Sequence, residues 1–339
     1  MPVSWMRPLK LTASKGSKSK AGWLDDHVDE WTEGLPPAAH ERIERQRASR
    51  TAGSLLSVAG AASIQSAGLV PVGEVFGCVV MNLGWSGGGC SWWSSGMNVS
   101  RFSAGVSPVT TSGGGGKWSS FAPYVNAYER GWSGALRRML AEARALGAHG
   151  VVDIRILRQH VDGSAWEFSA LGSAVRSTDP LLVPFPTTTG DVWSTNLSGQ
   201  DCAAAILSGY VPREIVLGIS VSTKHEDFQL RQQRSSWVNG EVTGMSLLIQ
   251  AARHEARARL SSRAAHVGAA ELVVTGMTLS EFETVCGGQD GKDLHAESVV
   301  VGTTLVALRR ARRTEASPNA LTVLPLRDSP ARPQGKQPL

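Results

Sequence analysis

The chain has 339 residues, 42% hydrophobic and 19% charged, which is enough length and apolar content for two or three cored domains. Its formal net charge of +5 sits in the ends: residues 309–339 hold seven Lys/Arg against two Asp/Glu, residues 1–50 nine against seven, and residues 51–308 hold 18 against 20. That distribution argues against a basic nucleic-acid-binding core.

Residues 1–53 read as a disordered, charged leader, with "PPAAHERIERQRASR" forming a short charged helix. "MPVSWMRPLKLTASKGSKSK" lacks the apolar region of a secretory signal. The most apolar stretch, Gly68 to Trp85, contains Pro71 and Glu74 and alternates like a strand, so no membrane segment is expected. Four scattered cysteines then fit reduced thiols and a cytoplasmic setting.

Residues 54–178 form the first expected domain. A short helix, "SVAGAASIQSAG", ends at Gly68, and a Val-rich strand, "PVGEVFGCVVMN", follows. An insertion rich in Trp, Gly and Ser occupies 84–119. The next helix places Leu136, Met139, Leu140, Ala143 and Leu146 on one face and Arg137, Arg138, Glu142 and Arg144 toward water. "GVVDIRIL" and "WEFSALGSAV" complete the unit as two strands. Residues 179–194 read as a Pro-rich linker and 312–339 as a disordered basic tail.

Residues 195–311 repeat the pattern. Leu56-Ser57, Gly68, Pro71 and Gly77 recur 141 residues later as Leu197-Ser198, Gly209, Pro212 and Gly218. Gly147 matches Gly268 at an offset of 121, and Glu167 and Gly172 match Glu297 and Gly302 at 130. Offsets that change only between elements are the mark of a duplication with loop insertions. In the second long helix Met245, Leu248, Ile249, Ala252, Ala256 and Leu260 share a face. Each half thus reads as short helix, strand, long helix, strand, strand. The crossover makes the first two strands parallel, and the third pairs antiparallel between them. The expected class is α+β: two three-stranded sheets of order 1-3-2, each with a helix on one face. The other face needs cover from the second unit or another subunit. Trp166, Phe168 and Ala170 are expected on that open face.

The first unit resembles the YbjQ-like family, labelled heavy-metal-binding, through "GEVFGCVV", "YERGWSGALRRMLAEARALGAHGVVDIRI" and "FSALGSAVRS". Ala143, Leu146, Gly147, Ala148, Val151 and Val152 match its hallmark, while His149 replaces the usual Asp/Asn and Asp153 the usual Gly. The second unit keeps Gly268, Ala269, Val273 and Val274. The resemblance implies tandem dodecin-like βαββ folds and ring assembly, five-fold in one-domain members. It carries over no chemistry.

The metal label receives little help from the residues. There is no C-x-x-C and no H-x-x-x-H; Cys78, Cys90 and His149 are weak ligand candidates for a divalent or soft metal. Cys78 also reads as a buried strand cysteine, and His149 as a cation at a helix C-terminus. "GWSGG" fits a nucleophile elbow at Ser86, but no helix can follow it. Lys117 follows four glycines, yet Thr111 and Trp118 break the P-loop pattern. Trp85, Trp92, Trp93 and Trp118 make the insertion either a flap over the open sheet or an interaction surface for a protein partner or apolar ligand. The functional expectation is a non-enzymatic, cytoplasmic, ring-forming assembly protein. The alternative is a metal- or small-ligand-binding module with its site at a subunit interface or under the Trp-rich loop.

Overall fold

Ser57 and Ser198 each cap a nine-residue helix: the Ser57 hydroxyl accepts from the Gly60 N–H and Ser198 from the Asp201 N–H. These helices, α2 (Val58–Ser66) and α4 (Gly199–Leu207), each lead into a long strand, β1 (Leu69–Asn82) and β6 (Tyr210–His225). The computed structural model describes residues 35–49, 53–83, 107–112, 121–179, 192–285 and 292–308. Trp85, Cys90, Trp92, Trp93, Trp118, residues 180–191 of the expected linker and the tail beyond 308 lie outside these residues.

The fold is mixed α+β. After α1 (Pro37–Ala48), the first half continues from β1 through β2 (Val109–Thr111) to α3 (Ala122–Ala145), β3 (Gly150–Asp162) and β4 (Ala165–Ser177). The second half runs from β5 (Trp193–Ser194) through α4 and β6 to α5 (Phe228–Arg234), α6 (Thr243–His266), β7 (Glu271–Val285) and β8 (Lys292–Ala307). The sheets have orders β1-β4-β3-β5 and β2-β6-β8-β7. The long pairings β1–β4, β3–β4, β6–β8 and β7–β8 are antiparallel, so β1 and β3 run parallel across β4.

The sheets therefore have four strands, not three, and each takes its fourth from beyond its own half. β5, at the end of the expected linker, pairs parallel with Gly150 and Val151. β2, within the expected insertion, pairs antiparallel with Ser222–Lys224. Trp193 is buried there among Ile64, Val152, Val175 and Ile206, which makes the short strand worth ordering.

Gly77 and Gly218 let the long helices approach their strands. A Cβ on Gly77 would lie 2.2 Å from the Ala135 carbonyl oxygen, and one on Gly218 2.0 Å from that of Ala256. Gly77 thus marks the face of the first sheet against α3, and Gly218 the face of the second against α6. Trp166, Phe168 and Ala170 stand opposite Met81, Val79 and Gly77, so they face α3, not the open side as the alternation had suggested. Phe168 packs edge-on to Tyr128, 5.0 Å between ring centroids.

The second sheet's face away from α6 carries Leu217, Ile219, Val221 and Val299, which join Tyr128, Trp132 and Phe168 in one core. The layers therefore run first sheet, α3, second sheet, α6. Beside α3, β3 meets β8 through Arg158 and Glu297.

Glu142 is buried instead of facing water. Its carboxylate accepts the Phe76 N–H at 3.0 Å and pairs with Arg42 of α1. Burial, its largest influence, raises its pKa against the pull of the Phe76 N–H and Arg42. Together with Gln46 donating to the Glu74 carbonyl at 2.9 Å and Arg138 donating to that of Cys78, it seals the free edge of β1.

Candidate functional site

The polar centre of the molecule lies where the two halves meet. Arg158 on β3 and Glu297 on β8 form a two-pronged ion pair, with N–O distances of 2.9 and 3.0 Å, and their side chains are 22% and 4% exposed. Arg158 also donates to the Tyr124 hydroxyl at 2.8 Å, and that hydroxyl hydrogen-bonds Glu297. The guanidinium lies 5.1 Å from the Tyr128 ring centroid and 4.8 Å from that of Trp166.

The electrostatics suit a clamp. Burial raises the pKa of Tyr124 strongly, reinforced by Glu297, and pushes that of Tyr128 up to about 12. Burial opposes the charge on Arg158, but Glu297 outweighs it and raises its pKa. Both tyrosines thus stay protonated and the arginine charged at neutral pH, with the arginine's charge spent on Glu297. Beside the cluster is a cavity of about 330 Å³, lined by Trp132, Ile156, Phe168, Met277 and Glu297 among others.

A second polar centre is His295 on β8. Its Nδ1 bonds the Thr223 hydroxyl at 2.9 Å and its Nε2 that of Thr284 at 2.8 Å, with the Phe121 and Phe282 rings 4.8 and 4.9 Å away. Burial lowers its pKa to about 4. Neither cluster was named from the sequence. The matching positions of Glu167 and Glu297 were visible, but the arginine reaching Glu297 comes from the other half.

The metal candidates are not brought together. Cys78 sits half-buried on the outer face of the first sheet, its pKa raised first by burial and then by Glu167. His149 accepts the Ser177 N–H on Nδ1 at 3.1 Å. Cys78 pairs with Ser169, eight residues along β4 from Ser177, or roughly 26 Å at strand spacing. Among the described residues no three His, Cys, Asp or Glu side chains are grouped to hold a metal ion. The described donors therefore do not fit a heavy-metal site.

His149 is also not the cation that ends α3. Arg176 donates there to the Leu146 and Gly147 carbonyls at 3.1 and 3.0 Å, and Arg47 donates to that of Ala145. Gly147 adopts φ +70° and Gly268 φ +66°, ending their helices.

Residues 99–178 match the family model described as "Putative heavy-metal-binding". The chain is also 30% identical over 250 residues to the "Encapsulin nanocompartment protein Rv1762c" of Mycobacterium tuberculosis, spanning 73% of this chain and 85% of the relative. The chain belongs to the YbjQ-like family. No solved structure gives a significant match to this YbjQ-like chain. Among the described residues, no helix is long and apolar enough to cross a membrane.

Proposed function

We propose that this YbjQ-like chain is a non-enzymatic, cytoplasmic assembly protein that closes with copies of itself into a ring. On this reading residues 54–178 and 195–311 are duplicated dodecin-like βαββ units, joined by 179–194. The shared strand order, Gly77 with Gly218 and Gly147 with Gly268 support the duplication. The relative's name, a nanocompartment protein, supports self-assembly.

The observation that carries the assembly reading is β7. It is a 15-residue edge strand with Val274, Met277 and Val285 exposed. Other edges have partial cover: β1 is sealed by side chains, β2 joins β6 at Ser222–Lys224, and β5 pairs with β3 at Gly150 and Val151. Among the described residues no strand pairs with the outer side of β7, and a partly apolar edge of this length is a liability in a monomer. Five-fold closure follows the one-domain members, and the insertion at 84–119, with Trp85, Trp92, Trp93 and Trp118, would offer a repeated partner surface around the ring.

Light scattering or native mass spectrometry of the purified protein tests this. A closed oligomer of defined mass is expected, and a stable 36.0 kDa monomer at micromolar concentration overturns the reading. The cavity of about 330 Å³ favours a second reading, a small-ligand module. Co-purified ligand released on denaturation, at one per chain, would favour it.

A further inference from the structure

The two halves meet in an asymmetric way. The first half offers the helix-bearing face of its sheet: Ile156 and Arg158 on β3, Trp166 and Phe168 on β4, and Tyr124 and Tyr128 on α3. The second half offers the face opposite its helix, with Ile219, Val221 and Val299 beside Glu297. Among the described residues, one face of each kind is left over.

On the second half the spare face is the helix-bearing one. Val274 and Met277 on β7 are 54% and 41% exposed, and they stand opposite Gly302 and Val300 on the side of α6. Met245 and Ile249 of α6 are only partly buried, in one cluster with Leu279 of β7. On the first half the spare face is the one away from α3. Val80, Leu157 and Val161 are 59%, 63% and 56% exposed there, next to half-buried Phe76 and Leu171. The lower end of that face is already covered, since Val152 and Val175 pack with Ile64 and Ile206 of α2 and α4.

The spare faces are counterparts of the faces that meet. By the repeat offsets, Met277 stands where Ile156 does, Ile249 where Tyr128 does, Val80 where Val221 does and Leu171 where Val301 does. Glu167 stands where Glu297 does, and Arg253 of α6, exposed, where Trp132 does. The counterpart of Arg158 is Leu279, so the charge pair is not repeated and the apolar counterparts carry the match.

We propose that the outer face of the first sheet in one copy docks on β7 and α6 of the next copy, repeating between chains the interface that joins the halves within one. The occupant is a second copy because the chain already contains one solved instance of this contact. The contact is head-to-tail, so each copy uses both faces and only ring closure covers all of them. This rests on the assembly reading above and adds which surfaces meet.

Val80→Glu and Val274→Glu each put a carboxylate on one spare face at an exposed position, so both variants should fold; circular dichroism melting checks this. Each variant alone is expected to be monomeric. Mixed in equal amounts, they retain one intact pair of faces, and native mass spectrometry should show a one-to-one dimer of about twice 36.0 kDa and nothing larger. Variants that keep the wild-type oligomer mass overturn the docking proposal while leaving assembly intact. Monomeric variants that fail to recombine also overturn it, pointing to a two-fold contact. A monomeric wild-type protein overturns the assembly reading itself.

Discussion

Asp153 holds φ +52°, the one non-glycine among the described residues with positive φ, at the register shift between Val152 and Arg155. The family's usual glycine at this position was readable as a departure in the sequence. Its reason, a left-handed backbone fixed by the Asp153 N–H bond to the Leu197 carbonyl at 3.0 Å, was not. Aspartate, like asparagine, tolerates that region better than most residues with a β-carbon, helped here by Arg155 at 3.0 Å. Asp153→Ala should be less stable than Asp153→Gly by about 1 kcal/mol in urea unfolding. His295 gives a pH signature. An unfolded histidine titrates near 6.5 and this one near 4, so the folded state resists protonation. Its contribution is intact above pH 6.5 and is lost as the pH falls toward 4, by on the order of 3 kcal/mol at most. His295→Gln should flatten that part of the stability profile, measured as urea midpoints between pH 7 and 4.

At the scale of elements, the helix and strand periods were legible where each element packs on its own partner. Met139, Leu140 and Ala143 lie buried on α3 as the 3.6-residue period requires. Glu142 was misread because α1, far away in sequence, folds over that side of α3 and the β1 edge. The alternation of Trp166, Phe168 and Ala170 showed that they share a face, but alternation carries no information about which face the helix takes. β2 and β5, three and two residues long, have no period to read; pairing with a distant strand creates them. Glu142→Ala should strip the Phe76 N–H and Arg42 of their acceptor and cost about 2 kcal/mol, read as a lower thermal midpoint.

For the whole molecule, the join between halves rests on an ion pair that neither half contains alone. Removing one partner strands a buried charge, so Arg158→Leu or Glu297→Leu alone should each cost about 3–5 kcal/mol. The double variant should cost well under the sum, with a coupling of at least about 1 kcal/mol in a denaturation cycle. The placement of α3 has a thermodynamic consequence. One helix supplies core side chains to both sheets, so neither sheet can melt while the other stays native. A calorimetric scan should show a single heat-absorption peak whose van't Hoff and calorimetric enthalpies agree per cooperative unit, despite the repeated sequence. The excised segment 195–311 would leave Leu217, Ile219 and Val221 bare to water, and it should fail to fold as an independent body. The two halves of this chain are parts of one body, not two beads on a string.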